Sequence, residues 1–165
     1  MLALLLPAFA ADAVPEPRFG PLDRPARGVG LGLVAGYPLR LSVSYKKDGP
    51  VWFEGGVGWP YGAAVEADAN VLLTVVELPI DNVPDTHYPV WLGAGARLRV
   101  VPGYAPYAFD WGLRVPVGVG VEHDRLPIEV FAEVVPIISL WPVPYGAVEG
   151  GVGARFYFDS VQRLP

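Results

Sequence analysis

Along most of the chain apolar side chains recur at every second position, the period of a strand whose successive residues point to opposite faces. From Gly28 onward this alternation predicts eight strands, at 28–37, 39–47, 51–59, 64–77, 88–100, 109–122, 127–136 and 147–158. Turn-forming residues separate them: Tyr37-Pro38, Lys47-Asp48-Gly49-Pro50, Trp59-Pro60-Tyr61-Gly62, Pro102-Gly103-Tyr104 and Asp124-Arg125-Leu126-Pro127. One connection is long, Leu78 to His87, with Pro79, Asp81, Asn82, Pro84 and Asp85. Pro116 falls mid-strand and calls for a bulge or local break. Consecutive strands joined in this way predict an all-β fold, an eight-stranded antiparallel up-and-down barrel.

The two faces of these strands differ in kind. Val90, Leu92, Ala94, Ala96, Leu98 and Val100 share one face, opposite Trp91, Gly93, Gly95, Arg97 and Arg99. In the next strand Trp111, Leu113, Val115, Val117, Val119 and Val121 oppose Gly112, Arg114, Pro116, Gly118, Gly120 and Glu122. Ile128, Val130, Ala132 and Val134 oppose Glu129, Phe131, Glu133 and Val135. Val148, Gly150, Val152, Ala154, Phe156 and Phe158 oppose Glu149, Gly151, Gly153, Arg155 and Tyr157. Earlier strands place Arg40, Glu54, Glu66 and Asp68 on the polar face. One face is an apolar band and the other is glycine plus charge.

A water-facing strand normally carries Lys, Thr, Ser, Gln and Asn. Glycine there weakens the strand for no gain. Inside a narrow eight-stranded barrel glycine makes room for long side chains from neighbouring strands. The polar-face charges nearly balance, with Arg40, Arg97, Arg99, Arg114 and Arg155 against Glu54, Glu66, Asp68, Glu129, Glu133 and Glu149. Buried charge is tolerated when paired and hydrogen-bonded. The expected arrangement is therefore inverted, with a charge network inside, lipid outside and a transmembrane barrel. Most of the strands have the nine to eleven residues, or more, that about 45° of tilt requires to cross a bilayer.

Composition sharpens this picture. Glycine and proline number 20 and 19 of 165 residues, which disfavours long helices, while 52% of residues are hydrophobic, which disfavours disorder. No stretch of apolar residues is long enough for a helical membrane span. The absence of cysteine excludes disulfides and thiolate metal sites. The net charge of −5 removes the basic footprint of a nucleic-acid-binding protein. The cations are ten arginines and two lysines, a bias toward the cation favoured where charge is desolvated and paired. Residues 1–13, MLALLLPAFAADA, read as the apolar core and cleavage region of a secretory signal. Residues 14–27 read as a linker, 28–158 as the barrel and 159–165 as a tail.

Alternate connections place Tyr37, Trp59, Tyr61, Tyr104, Tyr107, Trp141 and Tyr145 at one end of the barrel, as an aromatic girdle at a membrane interface. The other end receives Lys46, Lys47, Asp48, the 81–85 segment, Glu122, His123, Asp124 and Arg125.

The segments 126–136, LPIEVFAEVVP, and 150–158, GGVGARFYF, resemble small, largely uncharacterised bacterial outer-membrane β-barrel proteins. These are related in type to the eight-stranded barrels of the outer-membrane-protein A and X kind. The resemblance implies location in the outer membrane of a Gram-negative bacterium and contact with membrane lipid. It also implies recognition by the barrel-assembly machinery through the closing aromatics Phe156 and Phe158. Residues 159–165 depart from the pattern, in which the terminal aromatic usually ends the chain.

Catalytic and metal chemistry find little footing. His87 and His123 lie in separate connections at one end and read as loop residues, despite Asp85 and Asp124 nearby. None of Ser42, Ser44, Ser139 and Ser160 sits in a nucleophile elbow, and Ser139 is expected at the end away from both histidines, with no base in reach. Glu129 and Glu133 fit an interior salt-bridge network better than acid–base catalysis. Gly28-x-Gly30-x-Gly32 falls within a strand and is no phosphate loop. The expectation is a monomeric outer-membrane barrel, neither enzyme nor cofactor-dependent, plugged rather than open, with a structural, adhesive or small-ligand role. The alternatives are a soluble lipocalin-like barrel that binds an apolar ligand and a lipid-modifying barrel enzyme.

Overall fold

The structure is a computed structural model that describes residues 26–60, 62–80, 83–103 and 109–161. The expected signal, most of the linker, Tyr61, Tyr104, Tyr107 and the end of the tail lie outside the described residues. The strands are β1 (Gly28–Tyr37), β2 (Leu39–Lys46), β3 (Val51–Trp59), β4 (Val65–Glu77), β5 (Thr86–His87), β6 (Pro89–Val100), β7 (Phe109–Arg114), β8 (Val117–His123), β9 (Leu126–Trp141) and β10 (Tyr145–Tyr157). A helical turn, α1 (Phe158–Val161), follows.

All pairings are antiparallel, and β1 pairs with both β2 and β10, which closes the sheet. The ten strands make eight staves. β5 pairs with β8 (His87 opposite Glu122) in the register that β6 continues (Val90 opposite Val119), so β5 is the start of the β6 stave, interrupted at Tyr88. β7 and β8 are likewise one stave broken at Val115-Pro116, since β6 and β9 each pair with both. The fold is a closed eight-stranded antiparallel barrel.

Proline chemistry accounts for two departures from the expected strand limits. Pro116 has no N–H to continue a ladder, and the stave breaks there, as its mid-strand position calls for. Its carbonyl still accepts from Gly93 N at 2.8 Å. β9 was expected to stop at Pro136 but runs on to Trp141. Pro136 lies beside the break: its carbonyl accepts from Val115 N at 2.9 Å, so the missing N–H points where the ladder is already interrupted. At the C-terminal end β10 stops at Tyr157, one residue short of the expected strand, and Phe158 opens α1.

The inside of the barrel is filled. Trp52, Trp91, Phe131, Leu72 and Val34 form a buried apolar cluster, with Trp52 and Trp91 edge-to-face at 5.6 Å between centroids. Trp91 lies 6.1 Å from Phe131. Two glycines make this packing possible by close approach: a Cβ on Gly118 would meet the Trp91 ring at 2.5 Å, and one on Gly153 would meet Phe131 Cζ at 2.5 Å. Outward positions carry Val, Leu, Ile and aromatic side chains that stay about half exposed, Leu41 at 52% and Ile138 at 59% among them. The fold is therefore apolar outside and charged inside.

Gly118→Val is expected to destabilise the barrel by about 1–3 kcal/mol through overpacking against Trp91. Gly146→Ala, with no atom within 4 Å of the added Cβ, is expected to stay within about 0.5 kcal/mol. Urea unfolding midpoints of the two variants check the contrast.

Candidate functional site

The interior charges form two groups, stacked along the barrel. The first lies toward the end where the chain enters and leaves. Lys46 of β2 reaches Glu122 of β8 at 2.6 Å and Glu129 of β9 at 2.9 Å. Glu129 also meets Arg155, its cross-strand partner on β10, at 3.2 Å and accepts from the Tyr157 hydroxyl at 2.8 Å. Arg155 passes on to Glu54 of β3 at 2.8 Å, and Glu54 to Arg40 at 2.5 Å. Arg40 binds Asp68 at 2.8 Å and Glu133 at 2.7 Å, and Arg114 stands 2.9 Å from the other Asp68 oxygen. Aromatic faces complete the wrapping: the Arg155 guanidinium lies 3.7 Å from the Phe131 centroid, and Lys46 Nζ 4.8 Å from that of Trp52.

The second group lies toward the opposite, aromatic end. Arg97 binds Glu149 at 2.7 Å, Glu66 at 3.3 Å and Asp110 at 3.1 Å, and donates to the Tyr145 hydroxyl at 2.8 Å. Arg99, with its side chain 15% exposed, binds Glu66 at 2.7 Å and Glu149 at 2.9 Å. Asp110 accepts further hydrogen bonds from Ser139 and Tyr145. Between the groups sits a cavity of about 10 Å³, lined by Arg40, Arg114, Glu133 and Glu149 with Val34, Tyr37, Pro38, Val135 and Gly150.

Each of the eleven charged residues expected inside, Arg40, Glu54, Glu66, Asp68, Arg97, Arg99, Arg114, Glu129, Glu133, Glu149 and Arg155, lies in one of these groups. The structure adds residues that sequence reasoning placed elsewhere. Lys46 was assigned to the polar end alone, and Glu122 was given the inward face of its strand but left out of the network; they are 3% and 1% exposed and point inward. Asp110 was not singled out, although the alternation through Arg114 and Gly112 leads to it. Tyr145, expected in the girdle, is partly exposed but turns its hydroxyl into the network. Ser139 is fully buried and meets Asp110 rather than a histidine.

Tyr37, Trp59 and Trp141 are exposed at the aromatic end, joined there by Phe109 and Trp111. A second set, Tyr45, Phe53, Phe156 and Phe158, is exposed toward the opposite end, and the Phe156 and Phe158 rings meet edge-to-face at 5.3 Å. This second ring is not legible from the connections, because its aromatics sit on strand faces and in α1.

At the rim of the chain-terminal end, His87 lies between two carboxylates. Its Nδ1 meets Glu77 and its Nε2 lies 2.9 Å from Asp124. Partial burial disfavours the charged ring, but the hydrogen bond and charge of Glu77, with the charge of Asp124, outweigh it and raise the pKa above the ordinary 6.5. Only the imidazolium has an N–H for each carboxylate. His123 is not part of this clamp; its Nδ1 accepts from the Arg125 backbone N–H at 3.1 Å. Among the described residues no group of three or more His, Cys, Asp and Glu side chains is placed to hold a metal ion.

No protein-family model, curated protein or solved structure matches the chain.

Because the His87 pKa is raised on folding, the clamp is complete below about 6.5 and is lost as pH rises through the higher folded value. The amides of Leu78 and Asp124, bonded to Tyr88 O and Asp85 O at 3.0 Å each, report on it. Their protection from hydrogen exchange, corrected for the intrinsic rate, should fall across that rise. His87→Gln should flatten the dependence.

Proposed function

We propose that the chain is a bacterial outer-membrane β-barrel protein whose outer face meets lipid and whose interior is closed by ion pairs. The observation that carries this reading is the inverted distribution of side chains. A soluble protein rarely exposes a continuous apolar patch beyond a few hundred Å². Here Leu31, Leu41, Val57, Val71, Leu113 and Val130 are members of an exposed apolar band carried by six of the eight staves, with no charged outward strand face to set against it among the described residues. Water offers such a surface no compensation, whereas hydrocarbon does.

Three further features support the reading. Aromatic side chains flank the band at both ends, where an amphipathic ring suits the headgroup region. The full-length strands run from 8 residues in β2 to 16 in β9, against about nine to eleven for a tilted bilayer crossing. The closed sheet leaves no unpaired edge in a medium that cannot hydrogen-bond it. Phe156 and Phe158, at the close of the barrel, suit recognition by the barrel-assembly machinery, and the end where the chain enters β1 and leaves β10, which also holds His87, would face the periplasm.

An eight-stranded barrel has room for side chains and little else. The two ion-pair groups and the tryptophan cluster take up that room, which favours a structural, adhesive or small-ligand role for a monomer over bulk diffusion. Three of the four connections at the aromatic end span five residues or fewer, so a ligand at these would meet the barrel rim.

Refolding from urea by dilution, with and without detergent micelles and followed by circular dichroism, tests this reading. It predicts a strand spectrum only when micelles are present. A monomeric, cooperatively folded strand protein in plain buffer would contradict it and favour a soluble barrel.

A further inference from the structure

The interior holds more carboxylates than cations, and the excess is divided between its two groups. The first group sets Glu54, Asp68, Glu122, Glu129 and Glu133 against Arg40, Lys46, Arg114 and Arg155. The second sets Glu66, Asp110 and Glu149 against Arg97 and Arg99. Fully ionised, each group would carry one uncompensated negative charge. A buried carboxylate without its own cation takes up a proton in preference to remaining charged.

A buried, unpartnered carboxylate oxygen occurs on Glu66 as well as on Glu133 and Glu149, and of these three only Glu133 and Glu149 line the cavity. Glu133 and Glu149, 5% and 4% exposed, line the cavity between the groups from opposite sides of the divide. In each, Oε1 is held by guanidinium donors, Arg40 on Glu133 at 2.7 Å, and Arg97 and Arg99 on Glu149 at 2.7 and 2.9 Å. In each, Oε2 is buried and has no hydrogen-bond partner. That is the arrangement of a neutral carboxylic acid, with a carbonyl oxygen that accepts and a hydroxyl left to donate.

We propose that this cavity is a proton-binding site, in which Glu133 and Glu149 each carry a proton on Oε2 in the folded barrel at neutral pH. With two protons bound, the interior is electrically neutral. The charged groups that face the pair come from most of the surrounding staves. Arg40 projects from β2, Glu54 from β3, Glu66 and Asp68 from β4, Arg97 and Arg99 from β6, Asp110 and Arg114 from β7, and Arg155 from β10. β1 and β8 contribute no charge beside it; Glu122 of β8 is held at the far end by Lys46. A metal cation fits less well, because the cavity has the volume of about one water probe and the Arg114 guanidinium stands in its wall. The site depends on the interior alone and is the same whichever medium meets the outer face.

Infrared spectroscopy of the protein folded in micelles at neutral pH tests the proposal, because an un-ionised carboxylic acid has a carbonyl band that a carboxylate lacks. The wild-type spectrum should show two acid equivalents that vanish on unfolding in urea at the same pH. Glu133→Gln and Glu149→Gln should each remove one equivalent and keep the fold, since Gln is a neutral isostere of the protonated acid. Ser42→Ala, which removes an interior hydroxyl beside Arg155 and leaves the interior charge unchanged, should keep both equivalents. A folded wild type with no acid band overturns the proposal. So does a band that survives either of the first two substitutions, or one that sodium or potassium chloride abolishes, which would assign the site to a cation.

Discussion

A charge inside a closed barrel loses its water on every side, and opposite charges and hydrogen bonds from other strands must replace it. That constraint runs through the whole structure. Arg155, on the last strand, is fully buried and holds Glu54 of β3 and Glu129 of β9. Arg40, on the second, gathers Glu54, Asp68 and Glu133 from three other staves. Each guanidinium ties together strands that do not neighbour one another in the sheet, so the network braces the barrel across its interior while the backbone ladder holds its wall. Removing one partner would leave its counter-charge buried and unpaired, a loss typically of about 3–5 kcal/mol.

The same constraint dictates the glycines and the register. A long arginine can cross the interior only where the facing wall is thin, and Gly56, beside the Arg40 side chain, is one such place. A one-residue slip of any strand would turn its charges outward and its valines inward. Both errors carry a large cost, so pairing is strongly specified. Cross-strand neighbours such as Arg155 and Glu129, or Arg99 and Glu66, reinforce it locally.

Much of this was legible in the sequence, and for a definite reason. Period-two alternation survives in every stave, and a polar face made of glycine and arginine makes physical sense only when it points inward. The eight staves and the inward set from Arg40 to Arg155 follow from that pattern, and Pro116 itself signals the stave break. Lys46 was misplaced because it adjoins a turn and a second lysine, where the alternation of Arg40, Ser42 and Ser44 is easily abandoned one step early. The extension of β9 past Pro136 depends on a break in the neighbouring stave, information that no local window contains. The division into two charge groups was also out of reach. Arg97 stands opposite Asp68 in register, yet its guanidinium reaches Glu66, Glu149 and Asp110, because a long side chain need not bond the residue beside it.

On the proposed reading the apolar face meets lipid and the charged face does not. The tryptophans divide cleanly for a direct test: Trp52 and Trp91 are 1% exposed inside the barrel, while Trp59, Trp111 and Trp141 lie outside near one end. The decisive measurement is fluorescence quenching of single-tryptophan variants in vesicles, by brominated lipids and by a water-soluble quencher. If the account holds, the brominated lipids quench the three outer tryptophans strongly and the two inner ones weakly. Outer tryptophans that respond to the aqueous quencher while ignoring the brominated lipids would contradict it.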